Sequence, residues 1–180
     1  TASARWSGDC WQVEAKTPSG PIDFSLHIAG RHNVKNALAA VACALAAGVP
    51  TSFIAAGLST FVAVKGRSRA IPLVVPGQPG RVLTLIDDSY NANPDSMRAA
   101  IEVLADLPAP CLLVLGDMGE VGNQGPEFHA EALQLAVEKN IEKVLVTGSA
   151  SVQAAMHFKS IEAYSEMADL QAAVRTRLPL

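Results

Sequence analysis

Residues 81–107 read "RVLTLIDDSYNANPDSMRAAIEVLADL". An apolar run, 81–86, gives way to two acids, a serine, a tyrosine and two asparagines, and then to a helical pattern. Asn93 followed by Pro94 is a helix start, with the asparagine as N-cap and the proline at the first helical position. Met97, Ile101 and Leu104 recur at helical spacing and are expected in a core. The stretch therefore predicts a strand, a turn and a helix. Capping accounts for Asn93 and Pro94. It does not account for Asp87, Asp88, Tyr90 and Asn91 together. In open α/β sheets ligands bind beyond the carboxyl ends of strands. A carboxylate in such a turn can accept both hydroxyls of a ribose, and a tyrosine ring can cover a base or sugar. Strand alternation is expected to turn Asp87 to the side opposite Asp88.

Downstream, strands and helices alternate. Strands are expected at 111–116, 143–147 and 160–164, and helices at 95–107, 126–139, 150–158 and 166–177. This alternation predicts an α/β, Rossmann-like, mostly parallel sheet with helices on both faces. Upstream, "RAIPLVV" (69–75) and "RVLTLIDD" (81–88) read as strands joined by the "PGQPG" turn at 76–80. Residues 10–16 and 21–28 form a hairpin around the "TPSG" turn. An alanine-rich helix runs over 32–48 with Gly48 at its C-terminal cap, and a second runs from a Thr51 cap to about Phe61. A connector is expected at 62–68 and a boundary near 64–70. What precedes it is expected to be a hairpin-plus-helices fragment, the tail of something larger.

The composition narrows the function. The chain has 180 residues, 49% of them apolar, which suffices for a sizeable core. A net charge of −3 without a basic stripe argues against nucleic acid as a partner. Cys10, Cys43 and Cys111 are widely spaced and form no CxxC pattern, which fits free thiols in a reducing compartment. No run reaches transmembrane length, so no membrane insertion is expected.

Three further stretches carry polar chemistry. "GRHNVKN" (30–36) places His32, Asn33 and Asn36 at a helix start. Either Asn33 caps the helix, or its amide pairs with N7 and N6 of adenine in a bidentate match. "KGRSR" (65–69) is either a solvated charge run or a place where an arginine clamps phosphate or ribose. "LGDMGEVGNQG" (115–125) lacks the GxGxxG spacing of a dinucleotide fingerprint. Asp117 and Glu120 there either meet solvent or bind a cationic substrate group, and His129 and His157 have no paired ligand. No GxxxxGK[ST] phosphate loop occurs in the chain.

Taken in order, "GRHNVKNALAA", the connector arginine, "DDSYNANPDSM" and "LVLGDMGEVG" resemble the Mur ligase family. The forms "DDSYNANP" and "LGDMGE" point to its branch that adds D-Ala-D-Ala to UDP-N-acetylmuramoyl-tripeptide in peptidoglycan synthesis. The resemblance implies a three-domain cytoplasmic enzyme. One domain holds the UDP-sugar peptide, a central one binds ATP and Mg2+, and a Rossmann-like one closes over the nucleotide. Residues 1–66 then correspond to the end of the central domain and 67–180 to most of the C-terminal domain. The phosphate loop, the metal ligands and a modified lysine would lie upstream of Thr1, and a closing strand, loop and helix beyond Leu180. This chain alone is therefore expected to be inactive. Carried over by position, His32, Asn33, Asn36, Arg67, Asp88 and Tyr90 are expected to face ATP, with Asp88 on the ribose. Asn91 and Asn93 are expected to face the acyl acceptor. No catalytic or metal-binding residue is assigned within the chain. The alternatives are a folylpolyglutamate synthase-like ligase, which "DDSYNANPDS" argues against, and a nucleotide-binding module without turnover.

Overall fold

The computed structural model describes residues 1–75, 78, 80–119 and 121–178. The chain divides into two compact units, Thr1–Tyr90 and Asn91–Leu180.

The first unit opens with an antiparallel sheet of three strands in the order β1 (Ala2–Ser7), β2 (Cys10–Thr17) and β3 (Gly20–Leu26). The second turn is the expected one, with Thr17 paired to Gly20 and the Thr17 hydroxyl donating to the Gly20 carbonyl. The first strand was not expected. It is a half-exposed edge of small and polar residues, and its apolar content is carried by Ala4 and Trp6. Gly8–Asp9 joins it to β2, a two-residue Gly-X connection of the kind that closes hairpins. Trp6 stands edge-on to Trp11 across the ladder, ring centroids 5.3 Å apart.

Alternating residues Trp11, Val13 and Ala15 of β2 and Ile22, Phe24 and Leu26 of β3 turn to one face. There they meet Val34, Ala37 and Val41 of α1 (Arg31–Ala46) and Ile54 of α2 (Thr51–Ser59). The segment thus has an apolar core of its own. Gly48, at φ 79°, follows the C-cap Ala47 in the left-handed conformation that a side chain resists. Thr51 is not the cap of α2. Pro50 holds the N-cap position in extended backbone and Thr51 is the first helical residue. A two-stranded antiparallel sheet completes the unit: β4 (Arg69–Val74) and β5 (Val82–Asp87), with Arg69 opposite Asp87 and Val74 opposite Val82. Most of the "PGQPG" turn lies outside the described residues. The alternation of strands and helices would group β5 with the parallel strands, but among the described residues its partner is β4.

The second unit is the parallel sheet. Strands β6 (Leu112–Leu115), β7 (Lys143–Thr147) and β8 (Ile161–Tyr164) lie in that order. Strand alternation splits their side chains between two faces. Leu113, Leu115, Val144 and Val146 pack with Met97 and Ile101 of α3 (Pro94–Ala105), Leu133 and Ala136 of α4 (Gly125–Glu138) and Ala154 and Ala155 of α5 (Ser149–Ala155). Leu112 and Leu145 turn the other way, onto Leu170 and Ala173 of α6 (Met167–Arg177). Both faces are covered by helices, as the apolar runs required. No helix among the described residues is long and apolar enough to cross a membrane.

Candidate functional site

The connector 64–68 is the centre of a bonded network within the first unit. Its backbone takes up two left-handed residues, Gly66 at φ 77° and Ser68 at φ 47°. The second is uncommon for a residue with a side chain, and such conformations persist only where neighbours over-determine them. Here two carboxylates do so. Asp87 Oδ2 accepts from the Gly66 N–H at 3.1 Å, and Asp88 Oδ1 accepts from the Ser68 N–H at 2.8 Å and its hydroxyl at 3.2 Å. The Tyr90 N–H donates to the Gly66 carbonyl at 3.0 Å, and the Ala29 N–H to the Ser68 carbonyl at 2.9 Å.

Asp87 and Asp88 therefore serve the same connector, which corrects the expectation that alternation sets them on opposite sides. The strand ends at Asp87, so Asp88 is already free of the pleat. Asp87 is saturated: its Oδ1 also accepts from the Ser89 hydroxyl at 2.6 Å and the Ser89 N–H at 3.3 Å. The Ser89 hydroxyl is the main reason its carboxyl lies below the usual range; burial opposes this, and the Ser89 and Gly66 amides and Lys65 add to it. The bonds of Asp88 all fall on Oδ1, and the residue is exposed.

The same folding brings four of the expected nucleotide residues into one network. The Arg67 guanidinium lies over the Tyr90 ring, 4.1 Å from its centroid. Asn33 is reached through Ala29, whose carbonyl accepts from the Asn33 Nδ2 at 2.7 Å. Asn33 is not the cap of α1. Gly30 is, at φ 94° and without a side-chain cap, which puts Asn33 at the third helical position, where its amide bonds back to Ala29 within its own segment. Its Oδ1 also accepts from Asn36 Nδ2 at 3.3 Å, so Asn36 orients Asn33. His32 is exposed on the first turn of α1.

Asn91 and Asn93 belong to the second unit, and their described bonds are local. Asn91 Oδ1 accepts from the Ala92 N–H at 2.8 Å. Asn93 caps α3 in a reciprocal box: its Oδ1 accepts from the Ser96 N–H at 2.8 Å, and its own N–H donates to the Ser96 hydroxyl at 3.0 Å. The capping reading of this residue holds, with Pro94 at the first helical position.

The glycine-rich loop after β6 is built differently from either reading of its acids. Asp117 Oδ1 accepts from the Ser151 N–H at 2.8 Å and Oδ2 from the Ala150 N–H at 3.3 Å, so this carboxylate caps the start of α5. Burial is the largest single influence and would raise its pKa, but those two amides, the Ser151 side chain and smaller influences together outweigh it and lower the pKa. Gly148 stands where a Cβ would lie 2.4 Å from the Asp117 carboxyl carbon. Glu120 lies outside the described residues. His129, to which the sequence assigned no role, is 3% exposed and pins the loop. Its Nε2 accepts from the Met118 N–H at 2.9 Å and its Nδ1 lies 2.6 Å from the Gly125 carbonyl. That pattern needs a neutral ring with the proton on Nδ1. The 3.9 Å approach of Nε2 to Asp117 is therefore no ion pair.

The chain is similar to known proteins in sequence and in fold. The Mur ligase, glutamate ligase domain family matches residues 74–179. The UDP-N-acetylmuramoyl-tripeptide–D-alanyl-D-alanine ligase of Escherichia coli is 41% identical over 136 residues, 76% of this chain and 29% of that relative. A crystal structure of MurF from Acinetobacter baumannii superposes with a TM-score of 0.76 at 31% identity, over 98% of this chain and 38% of that one. The MurF ligase of Thermotoga maritima, solved in complex with ADP, shares the fold with a TM-score of 0.71 at 20% identity, over 98% of this chain and 40% of that one. This chain thus spans well under half the length of these relatives. The match over 74–179 takes in more than half of its residues, and the chain belongs to the Mur ligase family.

Proposed function

We propose that this chain is part of an ATP-dependent ligase that joins D-Ala-D-Ala to UDP-N-acetylmuramoyl-tripeptide in the cytoplasm. Residues 1–66 would close the central nucleotide-binding domain, and 67–180 would form most of the C-terminal domain. The observation that best supports this reading is the network joining Asn33, Arg67, Asp88 and Tyr90 around one strained connector. Asp88 Oδ1 is held by Ser68, which aims the carboxylate while Oδ2 accepts from the ribose hydroxyls. Arg67, a planar fork stacked on Tyr90, contacts the nucleotide, with His32 and Asn36 flanking Asn33 at the adenine. The ADP of the Thermotoga maritima structure is in keeping with a nucleotide at this fold.

Mg2+ and the phosphates would be held by residues outside this chain, so the chain alone is inactive. In the complete ligase ATP phosphorylates the tripeptide carboxylate to an acyl phosphate. The dipeptide amine then attacks the acyl carbon, and collapse of the tetrahedral adduct forms the amide and releases phosphate. Asn91 and Asn93 are the residues we assign to the acyl acceptor. The three cysteines are free, in keeping with a reducing compartment.

The test is made on the complete ligase with ATP and 2′,3′-dideoxy-ATP, which lacks both ribose hydroxyls. Hydrogen bonds to a charged group contribute roughly 1.5–3 kcal/mol each, so Asp88→Ala should weaken ATP binding about tenfold or more. The variant also releases the Ser68 N–H, so loss of ATP affinity alone decides nothing. The decisive comparison is discrimination: the parent should prefer ATP, and Asp88→Ala should bind both nucleotides almost equally. Equal discrimination by both proteins would remove Asp88 from the ribose.

A further inference from the structure

We propose that Asp9, Cys10 and His27 form a three-ligand site for a divalent transition metal of the Zn2+ class, with a fourth position open to water. None of the three belongs to the network of Asn33, Arg67 and Asp88, so the inference stands apart from the ligase reading. Among the described residues this is the one group of three potential metal ligands whose donor atoms converge.

The fold brings the ligands together. Asp9 and Cys10 sit at the Gly8–Asp9 turn, where Ser7 pairs with Cys10 to close the β1–β2 hairpin. The turn is tied down from outside the sheet, because the Thr84 hydroxyl donates to the Gly8 carbonyl at 3.0 Å. His27 follows β3, and its backbone is fixed by a bridge to Val62. The three positions are thus held by backbone pairing, and only side-chain rotation is left to adjust.

One donor separation matches that of an occupied site, and the third donor lies close by. Zinc bonds of about 2.0–2.3 Å at tetrahedral angles place donor atoms roughly 3.3–3.6 Å apart. His27 Nδ1 and Asp9 Oδ2 are 3.6 Å apart, and all three donor atoms lie within 4.8 Å of one another. Access suits an ion: Cys10 is 6% exposed, whereas the side chains of His27 and Asp9 are 41% and 37% exposed. A thiolate, a carboxylate and a neutral imidazole carry two negative charges, matching a dication. One soft donor and one imidazole select zinc-like ions over Mg2+ and Ca2+.

The surroundings supply an outer partner. Gln12 Nε2 donates to Cys10 Sγ at 3.2 Å, while Gln12 Oε1 accepts from the Ser25 hydroxyl at 3.2 Å. Such donors orient a ligand and favour its anionic form. A plain His27–Asp9 ion pair at a partly exposed surface explains neither the sulfur at its edge nor the amide aimed at that sulfur.

The experiment uses Co2+ alone as the probe. It is titrated under reducing conditions into the full chain carrying Cys43→Ser, which removes the exposed thiol. One equivalent should produce a thiolate-to-cobalt charge-transfer band and the visible bands of a tetrahedral site, both displaced by one equivalent of Zn2+. Adding Cys10→Ser should abolish the charge-transfer band, and His27→Ala should weaken affinity at least about tenfold, the scale on which metal sites respond to lost partners. Far-UV circular dichroism checks that each variant is folded. A folded parent that gives no charge-transfer band would overturn the proposal, as would a band that survives Cys10→Ser.

Discussion

Replacing Asp117 with alanine should unpin the first turn of α5 and cost the second unit about 1–2 kcal/mol, the range for loss of a helix-capping side chain. The structure sets that size. Two backbone donors lose their acceptor, Ser151 N–H at 2.8 Å and Ala150 N–H at 3.3 Å. Ser151 is buried, so its amide is not readily rehydrated. Asp117 itself is exposed, and solvent screening keeps the effect well below that of a buried charge. With a urea slope of roughly 1–3 kcal/mol/M, the midpoint should fall by about 0.3–2 M. Circular dichroism is the suitable probe, since Trp6 and Trp11 both lie in the first unit. Hydrogen exchange at Ser151 and Ala150 localises the change. The pH dependence supplies a second check. The folded carboxyl of Asp117 lies below its ordinary value of about 3.9, so its contribution is fully present above that value and is lost as pH falls through the folded pKa. The gap between parent and variant should stay level from about pH 7 to 5 and narrow only below about pH 4. Unchanged protection at Ser151, or a gap that narrows between pH 7 and 5, would refute this account of the clasp.

Two further outcomes test the packing. Gly66→Ala should destabilise the first unit by roughly 2–3 kcal/mol, combining a left-handed residue with a side chain and a displaced hydrogen bond. The added Cβ would sit 2.8 Å from the Tyr90 nitrogen at φ 77°, and thermal unfolding followed by tryptophan fluorescence would show the loss. Ile101→Ala removes a side chain with 0% exposure from the core beneath β6 and β7, and should cost about 2–5 kcal/mol by urea denaturation. A cost under 1 kcal/mol would mean that α3 does not anchor that core.

The readings that held were those whose cause is local in the chain. Asn93 and Pro94 announced a helix start because the cap bond spans three residues. Gly48 marked a helix end because the left-handed conformation belongs to that residue alone. The turn at 17–20 closed as read, and the β6, β7 and β8 runs were apolar enough to need helices on both faces. The "DDSYNANPDSM" stretch, with its ordered companions, also carried the family, because those residues sit together in the chain.

Tertiary structure decided whatever depends on a partner far away in the chain. Edge strand β1 has too little apolar alternation to declare itself and forms only because β2 offers a ladder. Asp87 and Asp88 read as a pair to be split by alternation, yet both bind a connector some twenty residues upstream, since backbone amides in left-handed turns need acceptors wherever they lie. His129 looked unpartnered because its partners, Met118 and Gly125, are backbone groups, which residue types do not reveal. Asp9, Cys10 and His27 come together only when a hairpin turn meets the end of the third strand. Residue types dictate which hydrogen bonds and charges must be satisfied, but only the folded chain determines which groups satisfy them.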